Sequence, residues 1–171
     1  ECHRLLSAVN AMSGKFKLAL EHGKKAYDMV PNDPRILQQY GEALLKTGST
    51  KMGCDLTLLA LEYDPIAQGQ TNSDKRKSDA VFGCLLDDRV ELGLSIAEEI
   101  NERSAQILLY TAGLAVSKDG TIGSYPWLVS DIKKVELDSI EAAIEDMGKY
   151  DVVVQSTLRE VFLDHISPIK L

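Results

Sequence analysis

The chain has 171 residues, 44% hydrophobic and 26% charged, with 26 acidic side chains against 19 Lys and Arg, a formal net charge of −7. That apolar share is enough for a buried core, and 12 Gly with 5 Pro exclude a low-complexity or collagen-like chain. An acidic balance without a long cationic run excludes nucleic acid as the expected partner, and no stretch approaches the roughly 18 consecutive apolar residues of a membrane helix, so no membrane partner is expected either. Cys2, Cys54 and Cys84 are odd in number, widely spaced and without a CxxC pair, and no charged-then-apolar leader is visible. A reducing, cytoplasmic setting is the expectation.

Self-similarity is the strongest signal. Pro31 and Pro65 stand 34 positions apart, a period typical of helical repeats. On that offset Ala26 falls on Ala60, Ala19 on Gly53, Leu6 on Tyr40 and Tyr27 on Leu61. Residues 1–33 therefore read as a first unit. In the second, Asp33 can cap and Pro34 can open a helix over 35–46, where Leu37, Tyr40, Leu44 and Leu45 recur at helical spacing. Gly48 stops it. Leu56, Leu59, Ala60 and Tyr63 mark a second helix, closed by Asp64-Pro65.

Gly41, Gly53, Ala60 and the ending Tyr63-Asp64-Pro65, preceded by Leu6, Ser7, Ala19, Ala26 and the run Met29-Val30-Pro31-Asn32-Asp33-Pro34, resemble the tetratricopeptide repeat family. The resemblance covers residues 1–67. His3 and Leu37 stand where the family usually has a large aromatic early in the first helix. It implies an all-α fold of antiparallel helix hairpins stacked as a superhelix, whose first helices line a concave face that holds a protein or peptide segment. Arg4, Ala8 and Ala11 of the first unit, and Arg35, Gln38, Glu42 and Lys46 of the second, would project there. Arg4 and Arg35 could fork onto a carboxylate and Gln38 could bond backbone amides.

Residues 68–77 are polar and turn-rich and read as a loop, in which Lys75-Arg76-Lys77 is a solvated basic run. Beyond it, Ser78-Asp79 can cap a short helix to Leu86, and Asp87-Asp88 one carrying Val90, Leu94, Ala97 and Ile100. Residues 104–117, with small Ala112 and Gly113 among Leu108, Leu109 and Leu114, read as a further helix ended by Lys118-Asp119-Gly120. Pro126 opens one with Leu128 and Ile132, Asp138-Ser139 one with Ile140, Ile144 and Met147, and residues 151–165 a last one. Residues 78–171 are thus further helix pairs, repeat-like. The rival reading is a small C-terminal α/β domain, since 106–110 and 150–155 are rich in strand formers.

No residues converge on chemistry. His3, His22 and His165 lack metal-ligand spacing, Cys54 and Cys84 sit in helical patterns as small hydrophobes, and the consecutive carboxylate pairs Asp87-Asp88, Glu98-Glu99 and Glu145-Asp146 splay on a helix. No nucleophile elbow, zinc-protease helix or phosphate loop occurs, so no catalytic residue, metal or cofactor is assigned. Trp127 reads as a packing residue. The expectation is a non-catalytic adaptor. The alternatives are a repeat domain serving an enzyme or nucleotide-binding module in 104–171, and an architectural repeat forming a homo-oligomer.

Overall fold

Asp33 and Pro34 start a helix as their chemistry requires: the Asp33 carboxylate accepts the Arg35 backbone N–H at 2.8 Å and Pro34 takes the first turn, where no N–H is needed. The same logic runs through a computed structural model that describes residues 1–64, 70–147 and 152–170. Its elements are α1 (Cys2–Met12), α2 (Phe16–Met29), α3 (Pro34–Lys46), α4 (Thr50–Glu62), α5 (Gln70–Leu86), α6 (Val90–Glu98), α7 (Ala105–Asp119), α8 (Pro126–Lys134), α9 (Leu137–Met147), α10 (Val152–Val161), a π-helical turn at Phe162–Ile166, and α11 (Ser167–Lys170). The described residues form helices and no strands, and the all-α class holds. Residues 106–110 lie inside α7 and 152–155 open α10, whereas Tyr150 and Asp151 lie outside the described residues.

Contacts divide the chain into Glu1–Asp87 and Asp88–Leu171. In the first unit each helix packs on the next, from α1 through α5, and α3 also touches both α1 and α5. The first helices of successive hairpins therefore stand in one row. Their core is Leu37, Tyr40, Leu44, Leu56 and Ala60, with Leu20, Tyr27 and Leu59 packed on it. Gly48 ends the α3 turn at φ +87°, a conformation that costs glycine least.

Small residues set how closely α3 and α4 approach. A Cβ on Gly53 would lie 2.7 Å from Leu45 Cγ and 2.9 Å from the Leu45 backbone N, and one on Gly41 would lie 3.1 Å from the Gly53 carbonyl. Backbone cannot yield as a flexible side-chain tip can. Gly53→Ala is accordingly expected to lower stability by about 1–2 kcal/mol, overpacking exceeding the helix-propensity gain. A urea midpoint equal to or above that of the parent chain would contradict this.

Two expectations need correction here. Residues 70–77, read as loop, are the first two turns of α5, and residues 65–69 lie outside the described residues. Ser78 and Asp79 consequently sit inside a helix and do not cap one. Asp88 does not cap α6 either: it adopts φ +56°, and Arg89 is the residue before the first turn. The polar residues of 70–77 are adequate helix formers, and Arg76 is fastened by a tertiary ion pair that no local pattern reveals.

In the second unit α7 buries nine successive residues, from Ile107 to Ala115. It packs against α6, α8, α9 and α10, which explains why its apolar residues run on without a polar stripe. Ser104 caps it, accepting the Ile107 N–H at 3.4 Å. Arg103, just before that cap, reaches in four directions. Nε donates to the Ala97 carbonyl at 2.9 Å, one terminal nitrogen to the Glu98 carbonyl at 2.5 Å and the other to Asp131 Oδ2 at 2.7 Å, while its plane lies 4.4 Å from the Trp127 ring centroid. Trp127 is thus a packing residue, half-buried under a cation.

Candidate binding face

The row formed by α1, α3 and α5 carries the polar candidates Arg4, Arg35, Gln38, Glu42 and Lys46, and each of these five has an intrachain partner. Arg4 sits one turn after Glu1 on α1, so its guanidinium meets that carboxylate: Nε lies 3.1 Å from both oxygens, and a second nitrogen bonds Glu1 as well. Across the helix boundary the Gln39 amide lies against Arg4, and in the orientation that satisfies both of its atoms it donates to the Arg4 carbonyl at 3.0 Å and accepts from the guanidinium at 3.1 Å. Arg35 forks onto Asp33, with nitrogen to oxygen distances of 3.1 and 2.7 Å. The hydrogen bonds from Arg4 and Arg35 hold the Glu1 and Asp33 carboxyls below the ordinary carboxylate range.

A second cluster joins α3 to α5. Gln38 Nε2 donates to Asp79 Oδ2 at 2.5 Å, and Gln38 Oε1 accepts from Arg76 Nε at 3.3 Å. Lys75 donates to Asp79 at 3.2 Å from one turn earlier. Arg76 pairs with Asp64, and both side chains are deeply buried, 3% and 10% exposed. Lys46 Nζ donates to Glu42 at 2.6 Å and stands 5.3 Å from the Phe16 ring centroid. Burial pushes the Asp79 carboxyl above its usual value against the pull of Lys75, and the negative charge of Glu42 adds to the rise.

The structure thus gathers Arg4 with Arg35's neighbourhood at one end, and Gln38, Glu42 and Lys46 at the other; Ala8 and Ala11 are half-buried on α1. The solvated basic run is corrected at its centre: Lys75 is exposed, but Arg76 is a buried ion-pair partner. Gln39, Asp64, Arg76 and Asp79 join the face in the structure although the sequence pattern gives none of them a place on it. Asp79 stands four residues after Lys75, a helical salt-bridge spacing that becomes legible only once α5 is extended back to Gln70.

A raised carboxyl pKa works against the folded state once ionised. Stability tied to Asp79 is full below the ordinary aspartate value of 3.8 and declines as pH rises through the higher folded value. Asp79→Asn, which keeps the hydrogen-bonding shape without the charge, should therefore match the parent chain below about pH 3.8 and equal or exceed its stability at neutral pH. Urea unfolding at both pH values checks this; a substantial loss at neutral pH would mean that the Lys75 attraction outweighs burial.

Elsewhere, the helices at 106–110 and 152–155 remove the strands on which a nucleotide-binding module in 104–171 was based. Among the described residues no three metal-ligating side chains gather, and no helix is long and apolar enough to cross a membrane. No model of a known protein family matches this chain, and no curated protein matches it.

Proposed function

We propose that residues 1–87 are a divergent tetratricopeptide-type array that acts in the cytoplasm as a non-catalytic adaptor, holding a protein or peptide segment on the face of α1, α3 and α5. The observation that carries this reading is the pair of polar clusters on those helices, Glu1, Arg4 and Gln39 between α1 and α3, and Gln38 and Asp79 between α3 and α5. The 34-residue register supports it, with Ala19 and Ala26 of α2 recurring as Gly53 and Ala60 of α4, all buried at helix contacts. The buried sulfurs of Cys54 and Cys84 stand 4.0 Å apart without a disulfide, which suits a reducing compartment.

Prior pairing does not obstruct such a role. Exposed ion pairs are worth about 0–1 kcal/mol, so a segment carboxylate replacing Glu1 on Arg4 or Asp33 on Arg35 exchanges one fork for another at small cost. Gln38, held from both sides, keeps its amide in a fixed orientation. The test is selection from a random-peptide display library on the whole chain, followed by anisotropy titration of the enriched peptide. Arg4→Ala combined with Arg35→Ala should weaken binding by about tenfold or more, with circular dichroism unchanged. Enriched peptides indifferent to Arg4, Arg35 and Gln38 would sink the proposal, as would failure of any peptide to enrich.

A further inference from the structure

His3 on α1 and His22 on α2 bring their Nδ1 atoms to 3.1 Å, with rings inclined by 24° and centroids 5.2 Å apart. Both residues are half-buried at the seam of the first hairpin, so solvent reaches the pair. In the metal-free protein one Nδ1–H donates and the other Nδ1 accepts. The same separation is that of two neighbouring ligands on one transition-metal ion, because metal–nitrogen bonds of about 2.0–2.1 Å place adjacent ligands about 3 Å apart.

We propose that His3 and His22 form a binding site for a divalent transition metal such as zinc or cobalt, which clamps α1 to α2 while water fills the remaining positions. Imidazole nitrogen suits these ions, whereas magnesium and calcium take oxygen ligands. For the ion to enter, the ring that carries hydrogen on Nδ1 shifts it to Nε2. Both Nδ1 lone pairs then face the metal, and no net proton is released. Because the ligands come from two helices, the bound ion stabilises the folded hairpin over the unfolded chain.

Zinc chloride titrated calorimetrically into the whole chain, in a buffer that does not chelate, should give one ion per chain. It should raise the thermal midpoint, and magnesium should do neither. His22→Ala should weaken zinc binding by about tenfold or more, since a single imidazole does not chelate. His22→Phe keeps a ring in the seam without a ligand atom, so loss of binding with unchanged circular dichroism separates ligation from folding. Cys2→Ser should leave binding intact. Zinc affinity that survives both His22 variants, or the absence of saturable binding to the parent chain, would overturn the assignment.

Discussion

Arg76→Ala should destabilise the chain by about 3–5 kcal/mol, the range for breaking a buried ion pair by removing one member. Asp64, only 10% exposed, would keep its carboxylate without the counter-charge that offsets its desolvation. Gln38 would lose the bond from Arg76 Nε, which loosens the orientation of the amide at the centre of the proposed binding face. The control is the double variant Arg76→Met with Asp64→Leu, in which no buried charge is left alone. It should unfold later in urea than Arg76→Ala does, because a buried pair contributes less than the cost of half of one. If Arg76→Ala unfolds with the parent chain, the pair is hydrated and the argument fails.

Leu109→Ala is the second large effect. Leu109 is fully buried on α7, the helix against which α6, α8, α9 and α10 pack, so truncation removes apolar contacts on a surface that cannot close over the gap. About 2–5 kcal/mol should be lost, a large share of the stability of a domain this size. Since contacts cluster within Glu1–Asp87 and within Asp88–Leu171, the loss should fall on the second unit. Calorimetry is expected to show one transition moving to lower temperature and another staying in place. A single transition that shifts as a whole would mean that the two units unfold together.

How much of this was legible follows from whether the deciding interaction was local. Asp33-Pro34, Gly48 and Gly120 act on their own turn of backbone, so their sequence positions place helix ends well. The start of α5 depends on Arg76 finding Asp64 twelve residues earlier, and nothing in a polar run announces that. Residues 107–115 are buried on every side because the helix is enclosed, and such a largely apolar run carries no period with which to tell helix from strand. On the proposed binding face, Arg4 and Arg35 follow from what the family resemblance implies for the first helices. Their pairing with Glu1 and Asp33 was within reach of a short-range reading, but the Gln38 contact with Asp79 spans 41 positions. Local spacing does not reveal the contact of His3 with His22, because a hairpin bridges their 19-residue separation.

Arg103 shows which substitutions this chain should accept over long divergence. Its fork and plane serve two α6 carbonyls, Asp131 on α8 and the Trp127 ring together. A lysine there would bring charge but neither the second and third donor directions nor a flat face to lie on indole. Neutral drift should therefore hold Arg103 and Trp127 as a unit, changing both or neither, while the surrounding surface varies freely. Homologous sequences that keep arginine wherever they keep tryptophan would be the mark of that constraint.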